Sequence, residues 1–388
     1  MRISPHSFGF TLLLGALAGL PALSIDMGLP SLPLVAAEFG ASATEVALTL
    51  SLFMLGFGTA QLVIGPLSDR IGRRPVLLGA LGLYTLAGAA CLLAQSVPAL
   101  LVARCAQGAG AAGGTVLAFA IIRDLFDSDA ARARLSTVSM VFSLAPVIAP
   151  SLGALMLLAD GWRAVFGLLC ATGFVLFLAV AFGLDETRRH APPRRHTAIL
   201  REPRTIAYGV VGALNLGNVF VFVAGSPLVL LGTYGLDTAT FGLVFAVVTA
   251  GVIAGAGINR IAASRRLHPA WPLGLGLGGA AFAGLLASWL SLSGPVPLWG
   301  LVPLLVLVTL SRGLVSPNVT HAALERVPHM AGAASALIGS MQMLTGALAG
   351  LIVGVMFSRF GAGGLFFTMA AFGVPALLVW IYVERRYR

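Results

Sequence analysis

The chain has 388 residues, of which 58% are hydrophobic and only 10% charged. A water-facing domain carries about 25% charged residues, so a soluble enzyme, a nucleic-acid-binding domain and a disordered chain do not fit. The net charge of +10 comes from arginine alone, 24 residues against 14 acidic ones, and most of these arginines lie in short polar gaps between apolar runs.

Taken in chain order, the apolar runs predict twelve membrane-spanning helices, at 8–34, 44–66, 75–95, 97–122, 134–158, 162–184, 205–231, 239–259, 270–291, 297–318, 331–357 and 363–383. Each is near the ~20 residues that cross the hydrocarbon of a bilayer. Arg2 with the run from Phe8 to Ser24 has the look of a signal peptide. The run continues past Asp26 without a small-residue cleavage site, so it is read as the first span. Cys91, Cys105 and Cys170 all sit inside apolar runs without CxxC spacing, so packing is their expected role.

Arginine sets the orientation. One alternate set of gaps holds Arg70, Arg73 and Arg74, then Arg132 and Arg134, then Arg188, Arg189, Arg194, Arg195 and Arg201, then Arg260, Arg265 and Arg266, then Arg326. The other set holds only Arg163 and Arg359. The rich set is expected on the cytoplasmic side, together with both termini. The longest polar gap, Asp185 to Arg204, contains Pro192 and Pro193 and divides the chain into an N-terminal six-helix bundle (1–184), a cytoplasmic linker (185–204) and a C-terminal six-helix bundle (205–388). The halves carry a faint repeat. Gly65 to Arg74 after span 2 is echoed by Gly255 to Arg266 after span 8, at an offset of 190 residues. A duplicated unit of this kind is common among secondary transporters.

Several motifs are more selective. Gly65-Pro-Leu-Ser-Asp69-Arg70-Ile-Gly72-Arg73-Arg74-Pro75 resembles the loop 2–3 signature of the major facilitator superfamily, and Arg104-Cys-Ala-Gln107-Gly108 its span-4 motif. Ala145-Pro146-Val-Ile-Ala149-Pro150-Ser-Leu-Gly153 is similar to its antiporter motif, with alanine at two positions where antiporters often have glycine. Leu23-Ser-Ile-Asp26-Met-Gly28-Leu-Pro30-Ser-Leu-Pro33 and Pro328-His-Met-Ala-Gly-Ala-Ala-Ser335 resemble the bicyclomycin and chloramphenicol resistance (Bcr/CflA) branch of drug–proton antiporters, which often has tyrosine where this chain has Gly28. The resemblance covers essentially the whole chain. It implies an all-α integral membrane protein with the major facilitator fold, twelve helices in two pseudo-symmetric bundles. It also implies proton-coupled, alternating-access efflux of small amphipathic drugs from a bacterial inner membrane. The alternative is a metabolite exporter or facilitator of the same fold without a drug role.

The residues themselves point to a short list. Asp26 is the acidic residue well inside an apolar span; a carboxylate there is costly and should face the bundle interior or a wet cavity. It is expected to carry the coupled proton or contact substrate, or else to brace the helix break before Pro30 and Pro33. Arg104 lies about two turns into span 4 and is expected to pair with Asp26, or to snorkel to the headgroups. Gly65, Pro66 and Gly72 are expected to form a tight turn. Beside them, the Asp69 carboxylate can accept from a helix N-terminus, that of span 11 being the expected one. The resemblance implies that this contact latches the outward-facing state, with Arg70, Arg73, Arg74 and Asp124 around it. Pro146, Pro150 and Gly153 interrupt span 5, either as a simple kink or, as the resemblance implies, as a seal against the other half. Arg312 in span 10 belongs to none of these patterns and is read as a snorkelling cation or a second cavity charge. Candidate cavity groups are Phe53, Phe57, Gln61, Tyr84, Asn215, Asn218, Phe220, Asn318 and Gln342. GxxxxGK[ST], HExxH and GxSxG sequences are absent, so neither direct ATP drive nor common hydrolytic chemistry is expected, and no cofactor or metal site is read. The expected partners are a drug-like small molecule, protons and the bilayer, with the protein acting as a monomer.

Overall fold

A computed structural model describes residues 3–387 except 127, 189–198, 200–201, 326 and 328–329. Most of the expected linker, with Arg189, Pro192, Pro193, Arg194, Arg195 and Arg201, lies outside these residues. So do Arg2, Arg326, Pro328, His329 and Arg388, and the side chains of Arg132, Pro146, Ala331, Gly332 and Ala333.

The described chain is all-helical. In hydrocarbon every main-chain N–H and C=O must find a partner within the protein, and a helix satisfies them locally. The elements are α1 (Phe8–Asp26), a 3-10 turn (Leu29–Ser31), α2 (Leu32–Phe39), α3 (Ala43–Ile71), α4 (Arg73–Leu92), α5 (Val97–Leu125) and α6 (Ser128–Gly183). They continue with α7 (Pro203–Ser226), a π-helical turn (Pro227–Thr233), α8 (Thr238–Ser264), α9 (Ala270–Leu292), α10 (Leu298–Leu324), α11 (Ala331–Phe360) and α12 (Ala362–Tyr387). Among the described residues, eleven helical stretches are long and apolar enough to cross a membrane, and Ile148–Leu158 is a shorter apolar helix within the span expected at 134–158. α6 breaks at Asp160 and Gly161, where Gly161 takes a φ of 63°, so it supplies two spans, as the gap between 158 and 162 predicts. Large apolar side chains point outward all along these helices; Leu158 is 85% exposed and Phe182 72% exposed. Such a surface suits lipid and not water.

Two compact units result: Met1–Phe39 with Leu52–His196, and Gly40–Ser51 with Thr197–Arg388. In the first, α3 and α5 cross through glycine. A Cβ at Gly108 would stand 2.7 Å from the Phe53 carbonyl carbon, and one at Gly56 would stand 2.9 Å from that of Cys105. In the second, Gly255 and Gly313 bring α8 and α10 together in the same manner. Small residues at such crossings let backbones approach where lipid offers no hydrophobic drive.

The loop signature departs from expectation at its start. Gly65 and Pro66 are not in a turn but inside α3, which runs on to Ile71. Nothing lies within 4 Å of a Cβ placed at Gly65. Proline removes a single main-chain donor, which a membrane helix tolerates. The turn is made by Gly72 alone, whose φ of 112° suits glycine and disfavours other residues.

Candidate transport site

Asp26 is the last residue of α1, immediately before the break that Met27, Gly28 and the 3-10 turn make in the first span. It is 5% exposed and has no hydrogen-bond or ion-pair partner among the described residues. The backbone is broken here for a legible reason: Pro30 and Pro33 cannot donate to the preceding turn. Ser31 fastens the break by donating its hydroxyl to the Gly28 carbonyl at 2.6 Å.

Arg104 does not pair with Asp26. It is buried in α5, 3% exposed, and its Nη1 donates to Gln107 Oε1 at 2.7 Å. Its Nη2 donates to the Ser24 carbonyl at 3.0 Å. The guanidinium lies 4.5 Å from the Phe53 ring centroid and 5.6 Å from that of Phe166. Placing a charge here is costly, and it is offset by two charge-assisted hydrogen bonds and two aromatic faces. A carbonyl near the end of α1 is an apt acceptor because the last four carbonyls of a helix lack intrahelical donors. The arginine therefore holds the turn that precedes Asp26 and not the carboxylate itself. Buried Tyr84 completes the cluster, with its hydroxyl 2.6 Å from Ser24 Oγ.

The antiporter motif reaches the same place. Gly153 of α6 is buried against Met27, the residue after Asp26. A Cβ there would stand 3.0 Å from the Met27 carbonyl carbon and 3.1 Å from its Cα. Pro150 is buried. The missing side chain of Gly153 lets α6 lie directly on the broken first span.

Of the remaining candidates, Phe53 and Phe57 stack on α3 with centroids 6.5 Å apart. Gln61 is buried, and its Oε1 has no hydrogen-bond partner among the described residues. In the other unit, Asn215 Nδ2 donates to Ser311 Oγ at 2.9 Å, Asn218 is fully buried with neither side-chain polar atom paired among the described residues, and Gln342 Oε1 accepts from Arg312 Nη2 at 3.2 Å. Asn318 Nδ2 donates to Asn259 Oδ1 at 2.6 Å, joining α10 to α8. Phe220 is 8% exposed.

At the other end of α3 a charge network surrounds the Gly72 turn. Arg73 bridges Asp69 at 2.6 Å and Asp124 at 2.8 Å and donates to Ser68 Oγ at 2.6 Å. Arg70 joins through its carbonyl, which accepts from Arg188 Nη1 at 2.7 Å. Arg74 Nη2 donates to the Ala181 carbonyl at 2.7 Å. Sequence reasoning missed Glu186, which is central here. Its Oε1 accepts from the Arg73 N–H at 2.8 Å and its Oε2 from that of Arg74 at 3.2 Å, capping the otherwise unpaired N-terminus of α4. Partial burial works against its charged form, but donors from Arg188, Arg73, Arg74 and Thr187 outweigh it and hold the carboxyl below its ordinary range. The available signal was the acidic pair Asp185-Glu186 just past the end of span 6.

Comparison with known proteins settles the family. The family model for the Major Facilitator Superfamily matches residues 14–350. The chain belongs to the major facilitator superfamily. It is 31% identical over 405 aligned positions to the "Bicyclomycin resistance protein homolog" of Haemophilus influenzae, covering 100% of this chain and 98% of that one. It is 32% identical over 356 positions, 88% of each chain, to the "Uncharacterized MFS-type transporter YdgK" of Bacillus subtilis. Over 243 positions it is 34% identical to the "Multidrug resistance protein MdtL" of Escherichia coli, covering 61% of this chain and 62% of that one. Among solved structures, a bacterial homolog of the human lysosomal transporter Spinster matches with a TM-score of 0.78 at 18% identity, over 99% of this chain and 98% of that one. A D-xylose–proton symporter matches with a TM-score of 0.74, also at 18% identity, over 96% of this chain and 98% of that one. At such identities these two establish the fold alone. The protein is a multi-pass membrane transporter of this superfamily.

Proposed function

We propose that this transporter is a proton-driven antiporter of a bacterial inner membrane that exports small amphipathic compounds of the chloramphenicol or bicyclomycin type. The observation that carries the reading is Asp26: a buried carboxylate at a helix break whose side chain has no bonding partner among the described residues. A group so placed exchanges a proton or a ligand contact without first breaking an ion pair. A proton enters from outside and binds Asp26 as the drug leaves, and its release inside resets the carrier.

Arg104 is a positioning residue in this scheme, since it fixes the Ser24 carbonyl two residues before Asp26. Phe53, Phe57, Gln61, Asn215, Asn218 and Gln342 supply the apolar walls and sparse polar groups that suit amphipathic ligands. Asp69 with Arg70, Arg73, Arg74 and Asp124 latches one conformation, and both termini face the cytoplasm of a monomeric carrier. The bicyclomycin-resistance and multidrug-resistance names of two relatives favour drugs over metabolites. Expression in a pump-depleted bacterial host tests the reading. Tolerance to chloramphenicol or bicyclomycin should rise at least several-fold, and should return to the empty-vector level when ΔpH is collapsed. Unchanged tolerance to a broad drug panel would favour a metabolite exporter.

A further inference from the structure

The proposed reading leaves one cation within a membrane span unused. Arg312, in the middle of α10, has no carboxylate partner among the described residues. Its Nη2 makes a single long bond to Gln342 Oε1 at 3.2 Å, and its Nη1 is closed off from solvent with no acceptor. The side chain as a whole remains partly accessible. It does not snorkel to a headgroup acceptor, because its contact is with a buried amide from α11.

The surroundings are polar and under-satisfied. Gln342 is pressed against α7, where a Cβ at Gly212 would stand 3.1 Å from its Nε2. Beside Arg312 in sequence, Ser311 holds Asn215 of α7, whose Oδ1 has no donor. Gln342 of α11 thus lies between the Arg312 guanidinium of α10 and the backbone of α7, and among the described residues no carboxylate balances the cation. An intramembrane cation lacking a counter-charge is expensive, and ligand counter-charges are one of the roles such groups serve.

We infer that Arg312 and Gln342 form a carboxylate-binding subsite within the C-terminal unit, so that transported molecules include amphipathic compounds bearing a carboxylate. The ligand's two oxygens take Nη1 and Nη2 of Arg312, the second displacing Gln342 Oε1, and the freed Gln342 amide donates its N–H to the same carboxylate. A planar guanidinium matches a carboxylate as a two-pronged donor, which a lysine does not. This inference rests on the export reading for its transport consequence, but the binding itself does not depend on proton coupling.

The test uses full-length purified protein in nanodiscs and two matched fluorescent probes, dansylglycine and its methyl ester. Wild type should bind dansylglycine about tenfold or more tightly than the ester. Arg312→Gln should erase that preference while leaving ester affinity unchanged. Equal binding of the two probes by wild type, binding of neither, or a preference retained in Arg312→Gln would overturn the inference. Where Arg312→Gln does not fold, Arg312→Lys decides: dansylglycine affinity should fall at least about threefold with the ester unaffected, and an unchanged affinity refutes the subsite. Loss of ΔpH-driven export with the carboxylate preference intact would sink the antiport reading instead.

Discussion

Gly153→Ala offers a sharp test of how the antiporter motif acts. The added methyl group would stand 3.0 Å from the Met27 carbonyl carbon and 3.1 Å from its Cα, with the carbonyl oxygen nearer still. These atoms are main chain and cannot swing aside, so α6 and the broken first span must part by roughly 1 Å to restore van der Waals contact. Overpacking of this kind costs about 1–3 kcal/mol, and the displaced residue is the one next to Asp26. A misplacement of ~1 Å at a working group reduces rates by up to about a hundredfold. The variant should therefore melt several degrees lower in a detergent thermal-shift assay. It should also lose at least tenfold in ΔpH-driven drug transport in everted vesicles. Gly65→Ala, where nothing lies within 4 Å, is the control and should match wild type in both assays. Wild-type melting and transport in Gly153→Ala would refute the argument that this glycine is needed to seat the Asp26 turn.

Arg104→Gln leaves the Ser24 carbonyl without its donor and Gln107 without its cation; the expected cost is about 2–3 kcal/mol, seen as a lowered melting temperature together with reduced transport at unchanged expression. Gly72→Ala forces a side chain into a φ of 112° and sets its Cβ 2.5 Å from Glu186 Oε2; a loss of about 1–2 kcal/mol should appear in chemical denaturation. Glu186 titrates below its ordinary value in the folded protein. Its contribution is thus present above the unfolded value near ~4.3 and is lost as pH falls through the lower folded value. The melting-temperature gap between wild type and Glu186→Gln should accordingly be widest near neutral pH and close on acidification below about pH 4; a gap independent of pH would contradict the capping role.

Much of the fold was legible because lipid imposes one rule on every span: apolar length. The gap between 158 and 162 could be read even though the helix there runs on to a single sharp break. The loop signature was less legible. Gly65 and Pro66 have the composition of a turn, yet the helix continues through them, because in a membrane protein losing one donor at proline matters less than continuing the span. Asp26, Arg104 and Arg312 stood out as charges in apolar runs, so the burial of the first two followed directly. Their partners did not: Arg104 chose a main-chain carbonyl, and carbonyls leave no mark in a sequence. The Gly153–Met27 contact was equally invisible, since it depends on which face of α6 meets α1.

The central claim is that Asp26 carries the coupled proton. The most direct measurement compares wild type and Asp26→Asn in proteoliposomes, in two modes: ΔpH-driven accumulation of a drug substrate, and exchange of labelled for unlabelled drug without any gradient. The account predicts that Asp26→Asn loses uphill accumulation while retaining gradient-free exchange. Uphill accumulation in Asp26→Asn equal to that of wild type would contradict it.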